Sequence, residues 1–188
     1  MNYPNGLNKK INNNINYGNR GMSLEDDINL SNKYYLDSNI AVIYKKPTPI
    51  TINHVDYPSR ADAVITNAKF KIPSTTDYNG IYKGKYIDFE AKETASKTSF
   101  PLANIHSHQI EHLKKIAKHG GIGFIIVRFS SLNKDFLLSI EELENFINNN
   151  DRKSIPVSYF ISNGKEIKVT LRPRIDYLKY IDIDRRIL

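Results

Sequence analysis

Residues 122–129 read IGFIIVRF, the most apolar run in the chain, and Gly120-Gly121 stands directly before it. So short and apolar a run, opened by a turn signal, reads as a buried central strand. A strand of that kind needs cover on both faces, which a solvated sheet does not supply. The surrounding sequence offers that cover. Ser23-Leu24-Glu25-Asp26 resembles a capping box, and Leu24, Ile28 and Tyr35 recur at near-helical spacing, so a helix is predicted over about 24–36. His106 or Ser107 opens a second helix that runs through His119, with Ile110, Leu113 and Ala117 on one face and Gly120-Gly121 as the stop. Residues 141–149 look helical, 154–163 read as a further short helix, and 175–183 hold helical spacing. Strands are predicted at 39–44 and 136–140, and 94–101 reads as a polar loop. Helices and strands interleave, so the fold class is α/β with a mixed sheet flanked by helices.

Residues 45–73 interrupt this pattern. They carry Pro47, Pro49, Pro58 and Pro73 among alternating β-type residues. Proline confines such strands to an edge or a protrusion. A two-stranded projecting element bearing Lys45, Lys46 and Arg60 is one reading, and an ordinary surface hairpin is the other. The first 20 residues are Asn-rich, with no apolar signal region, and are expected to form a disordered arm ahead of one domain at 21–188.

Composition narrows the chemistry. The chain has no cysteine, which excludes disulfides, thiol catalysis and Cys-ligated metals and fits a reducing cytoplasm. The net charge of +7 favours an anionic partner, nucleic acid or membrane surface. No apolar run approaches the length of a membrane-spanning helix.

The stretch TTDYNGIYKGKYIDFEAKE, residues 75–93, carries the candidate site. If Lys83-Gly84 forms a two-residue turn, antiparallel partners have numbers summing to 167, since 83 + 84 = 167. Asp77 then lies opposite Glu90 and Thr75 opposite Lys92, with Cβ atoms roughly 4.5–5.5 Å apart. Thr75, Asp77, Glu90 and Lys92 share one face; Ile87, Phe89 and Ala91 take the other and pack. Two carboxylates this close raise one another's pKa unless a cation sits between them. A hard divalent cation such as Mg²⁺ answers that need, taking one or two carboxylates with waters and substrate phosphate. A bulge or turn at Asn79-Gly80 would break the register. A solvated face of paired charges is the plainer reading of the same pattern.

Other residues compete for roles. His108 and His112 stand four apart on the predicted helix, as zinc ligands do, but HQIEH is not the HExxH pattern. Gln109 either turns its amide toward the acidic cluster or is an exposed helix-start residue. Glu25 either reaches the cluster or serves its helix N-terminus. Arg172, Arg174, Arg185 and Arg186 read as surface charges. No Walker lysine and no GxSxG elbow occur.

Asp77 with Glu90-Ala91-Lys92 resembles the PD-(D/E)xK nuclease superfamily. The blocks GMSLEDDINLSNKYYL, IAVIYKKPTPI, PSTTDYNGIYKGKYIDFEAKET, KTSFPL, HSHQIEH and PRIDYL, in that order over about 17–180, look like the RecU family of Holliday junction resolvases. The resemblance implies a restriction-endonuclease-like core with a protruding β stalk. It implies a cytoplasmic homodimer that uses Mg²⁺, with Mn²⁺ as a substitute, to nick four-way junction DNA symmetrically in recombination and repair. The strand-exchange recombinase and branch-migration machinery are implied partners. By motif, Thr75, Asp77, Glu90 and Gln109 become metal-site residues and Lys92 stabilises the transition state. Residues 45–73 become the stalk, and Arg60 its functional arginine, although Ser59-Arg60-Ala61-Asp62 is less basic than the family's pattern. The alternatives are another PD-(D/E)xK endonuclease acting on duplex DNA and a non-catalytic junction-binding protein.

Overall fold

The computed structural model describes residues 23–71 and 75–181. The expected arm at 1–20, Pro73, Arg185 and Arg186 lie outside them.

Helix α1 (Leu24–Asp37) starts where the capping box predicts. Ser23 Oγ accepts the Asp26 N–H at 3.1 Å, and an Asp26 carboxylate oxygen accepts the Ser23 N–H at 3.3 Å. Strand β1 (Ala41–Lys45) follows, then β2 (Ile50–Asp56) and β3 (Val64–Phe70), which pair with each other as a separate antiparallel ribbon. Nearly every residue of β2 and β3 is exposed, so the ribbon adds nothing to the core. The main sheet continues with β4 (Tyr78–Tyr82) and β5 (Lys85–Thr94), then a short β6 (Ser99–Pro101). Helix α2 (Ser107–Lys118) leads to β7 (Ile122–Phe129), β8 (Lys134–Ser139) and α3 (Ile140–Asn149). Short β9 (Ser154–Pro156), α4 (Val157–Asn163) and β10 (Lys165–Ile167) complete the described chain.

The six-stranded sheet has the order β1-β4-β5-β7-β8-β10. Only β5 and β7 run parallel, joined by α2 as the crossover; the neighbouring pairs are antiparallel. IGFIIVRF is therefore central, as its apolarity predicts, and its period of two splits it between two cores. Ile122, Phe124 and Ile126 pack with Ile28 and Tyr35 of α1 and with Tyr177. Ile125, Val127 and Phe129 pack with Leu113 of α2, Leu143 of α3 and Phe160 of α4. Burying such side chains stabilises the fold by about 1.5–3 kcal/mol each.

The one partly exposed member of that strand, Arg128, joins a network the sequence did not announce. Its guanidinium holds Asp135 at 2.7 Å and Asp27 at 2.7 Å, and Arg174 reaches Asp27 at 2.9 Å. Burial alone would lower the Arg128 pKa; the two carboxylates overcome that and raise it. Arg174 is thus a structural ion-pair partner and not the free surface charge the sequence suggests.

Several boundaries differ from expectation. Residues 99–101 leave the loop to pair with 154–156, which removes the first turn of the predicted 154–163 helix. The predicted helix over 175–183 is replaced, in its described part, by one 3-10 turn at Leu178–Tyr180. Tertiary bonds override its spacing: Ser31 Oγ accepts the Ile175 N–H at 2.9 Å, and Tyr177 donates its hydroxyl to the Asn32 side-chain oxygen.

Candidate active site

The site is assembled by the β4–β5 hairpin. Lys83 (φ 47°) and Gly84 (φ 78°) both take positive φ, as a type I′ turn requires. Tyr78 pairs with Phe89, Gly80 with Ile87 and Tyr82 with Lys85, so each pair sums to 167 and no bulge intervenes. The ladder passes through Gly80 because glycine is needed there. A Cβ would lie 2.1 Å from the Val42 carbonyl oxygen of β1.

Asp77 sits one residue before β4 and faces Glu90 as the arithmetic requires. Its N–H donates to Glu90 Oε2 at 3.0 Å, and its Oδ2 accepts the Ala91 N–H at a long 3.4 Å. Each acid is tied to the other's strand. Ile87 and Phe89 are buried on the α1 side, which turns Asp88, Glu90 and Lys92 toward α2. Thr75, half-buried, precedes the ladder, so its pairing with Lys92 is not part of the sheet.

Glu90 is fully buried. Burial raises its pKa to about 7, the Asp77 charge raises it further, and Lys92 works against both. Lys92 Nζ lies 2.6 Å from Glu90 Oε1, yet that oxygen has no hydrogen-bond partner; the contact is an ion pair off the hydrogen-bonding direction. A buried carboxylate oxygen without a donor invites a cation. With two carboxylates and neutral oxygens nearby, the set suits a hard ion such as Mg²⁺.

Gln109 is buried in the first turn of α2, where its Oε1 accepts the His106 N–H at 3.0 Å and retains a second lone pair. Glu25 meets Lys45 Nζ at 2.5 Å, an exposed pair at the start of α1. Burial raises the Tyr78 hydroxyl pKa, and the charges of Glu25, Asp77 and Asp26 add to it, so α1 brings its acids within electrostatic reach of Asp77. Arg60 is exposed between β2 and β3. Lys46, read from sequence as a stalk cation beside Lys45, turns inward and pairs with Asp88 at 2.8 Å. His112 Nε2 also lies on Asp88, at 3.1 Å, and not beside His108 as a zinc pair. Among the described residues no group of three or more His, Cys, Asp or Glu is placed to hold a metal.

Sequence reasoning missed Asp88, Thr76 and Tyr86. The signal was available, because Asp88 is two residues from Glu90 and must share its face.

A mixed α/β sheet that sets Asp77, Glu90 and Lys92 at one end of a hairpin carries a site of the PD-(D/E)xK pattern. The chain belongs to the RecU family, described as Recombination protein U, whose profile matches residues 19–183. It is 54% identical to the Holliday junction resolvase RecU of Geobacillus kaustophilus, over 88% of this chain and 84% of that one. The Bacillus cytotoxicus protein of the same name is 53% identical over 89% and 85%. The Staphylococcus aureus one is 51% identical over 97% and 95%. A solved structure, the Holliday junction resolvase Hjc of Archaeoglobus fulgidus, overlaps 74% of this chain and 94% of its own with a TM-score of 0.42 and 10% identity.

Proposed function

We propose that this protein is a divalent-metal-dependent endonuclease that resolves four-way DNA junctions by paired, symmetric nicks. The observation that carries the reading is the Asp77–Glu90 pair with its buried, donor-free Oε1 and Lys92 at 2.6 Å. The names of the relatives in the RecU family agree with it.

Asp77 and Glu90 would hold Mg²⁺ or Mn²⁺, with Gln109 and Thr75 as neutral oxygen donors. The ion would supply Lewis acidity toward the scissile phosphate and a more acidic water. The residues of the chain do the rest. The Asp77 N–H fixes Glu90 Oε2 and leaves Oε1 facing the site. Lys92 stands where charge grows on the phosphoryl oxygens, and a fixed cation in a poorly solvated site stabilises that charge strongly. The exposed ribbon with Arg60 at its turn, and Lys45 at its root, provides contacts to phosphates and to branch shape. Two sites acting on opposed strands require two copies, so the active form is a homodimer. The recombinase and branch-migration machinery are the implied partners, and the cytoplasm the implied compartment. Among the described residues no helix is long and apolar enough to cross a membrane.

The test is cleavage of a labelled immobile four-way junction with Mg²⁺ beside a linear duplex of the same sequence, for wild type and Asp77→Asn. Paired nicks on the junction alone, lost in the variant, support the reading. Cleavage of both substrates marks a duplex endonuclease. Tight binding without cleavage in Mg²⁺ or Mn²⁺ marks a junction-binding protein.

A further inference from the structure

Behind the carboxylate pair lies a second buried acid. Asp88 is fully buried on β5, and its two oxygens collect four donors. Oδ2 accepts from Lys46 Nζ at 2.8 Å, the Tyr86 hydroxyl at 2.9 Å and His112 Nε2 at 3.1 Å. Oδ1 accepts from the Thr76 hydroxyl, which itself accepts from Lys46 Nζ at 2.9 Å. Tyr86 is held in turn by Asn79 Nδ2 at 3.0 Å. A buried charge is costly unless paired and hydrogen-bonded, and this one is fully so.

The donors come from the elements that bear the site. Thr76 lies between Thr75 and Asp77. Lys46 grips the same segment twice, since its backbone N–H also donates to the Asp77 carbonyl at 2.7 Å. His112 lies three residues beyond Gln109 on α2, so the two share a helix face. Asp88 itself is two residues from Glu90. The seat of α2 on the sheet is close at this level. Gly123, the β7 partner of Asp88, has the Leu113 carbonyl oxygen 3.1 Å from where a Cβ would stand.

We infer that Asp88 is a positioning residue of the nuclease site: one carboxylate pins the 75–77 segment, α2 and the root of the ribbon to β5 and thereby sets Asp77 and Gln109 against Glu90. This rests on the nuclease reading above. Asp88 touches neither metal nor phosphate; it acts through Thr76, Lys46 and His112. Lys46 makes the ribbon's root part of the same assembly, so the arm and the metal-site segment share one anchor.

The experiment compares wild type, Asp88→Asn, Lys46→Met, His112→Gln and His112→Leu. Junction affinity is measured in EDTA, Mn²⁺ binding by electron paramagnetic resonance, single-turnover cleavage across a Mg²⁺ titration, and folding by thermal melting. Asp88→Asn is expected to bind the junction like wild type while Mn²⁺ binding, and with it the Mg²⁺ needed for half-maximal cleavage, weakens by about 10- to 100-fold, the range for partners that orient metal ligands. Lys46→Met should do the same through the 75–77 arm. His112→Gln, whose amide still donates, should stay near wild type, and His112→Leu should follow Asp88→Asn. Wild-type metal dependence in Asp88→Asn overturns the assignment, as does loss of junction binding, folding and cleavage in one proportion. If Asp88→Asn fails to fold, the His112 pair decides, and equal behaviour of Gln and Leu overturns it. A wild type that binds the junction but never cleaves it overturns the nuclease reading itself, and this assignment falls with it.

Discussion

The Asp77 N–H donates to Glu90 Oε2 at 3.0 Å, so the backbone that carries one acid orients the side chain of the other. Neither carboxylate is placed by its rotamer alone. The partner strand fixes both, and the distance between them is a property of the hairpin register.

Glu90→Gln should abolish junction cleavage and leave junction affinity intact. It should also change the pH dependence of stability in the metal-free protein. The folded-state pKa of Glu90 is raised to about 7 from an ordinary value near 4.5, mainly by burial. The folded state therefore binds that proton more tightly than the unfolded state, and stability is fully present below about 4.5 and lost as pH rises through about 7. Urea unfolding in EDTA at pH 5, 6, 7 and 8 should show this decline in wild type and a flatter profile in Glu90→Gln.

Lys92→Ala should slow the single-turnover rate far more than it weakens metal or junction binding, because its ammonium is worth most where phosphoryl charge develops. Rapid-quench kinetics with calorimetric Mn²⁺ titration separates the two effects.

Arg60→Ala should leave the melting temperature unchanged, since the residue is exposed between β2 and β3 and buries nothing. Its effect should fall on junction binding, with a loss of about one unit in the slope of log affinity against log salt. Titrations at several ionic strengths measure it.

Gly80→Ala should destabilise the protein. The added Cβ would stand 2.1 Å from the Val42 carbonyl oxygen, and backbone must move to admit it. Overpacking costs about 1–3 kcal/mol and more where backbone is the obstacle. Chemical denaturation reads the loss, and a shifted β1 should reduce cleavage as well.

Arg128→Ala leaves Asp27 and Asp135, both buried, without their shared cation. Breaking one side of a buried pair costs about 3–5 kcal/mol. The unfolding midpoint should fall accordingly, with the metal requirement of the remaining folded protein unchanged.

The parts of this molecule that obey a local rule were legible in the sequence. Lys83-Gly84 fixes the turn, and from it the register follows to Asp77 and Glu90. Ser23 and Asp26 fix the start of α1, and the apolarity of 122–129 fixes the centre of the sheet. What escaped was tertiary. Residues 99–101 and 154–156 form strands only because they find each other. The 175–181 segment keeps its apolar spacing but bonds to α1 in place of its own turns. Lys46 looked like a surface cation because nothing near it in sequence is acidic, and its partner Asp88 lies 42 residues on. Asp88 itself was overlooked because attention fell on the motif carboxylate next to it, although period two places both on one face.

The parallel pairing of β5 with β7 has a kinetic consequence. The β4–β5 hairpin is local and closes on a timescale of about 1–10 μs, whereas β7 cannot join until α2 has crossed over. Asp77 and Glu90 therefore meet while still hydrated, with their charges screened by water. The energetic cost of stripping that water from Glu90 arises only when α2 and β7 dock. The last folding step of the core is then the one most sensitive to acidity and to divalent ions, and a refolding chain closes its catalytic centre most readily when a cation is already on the hairpin.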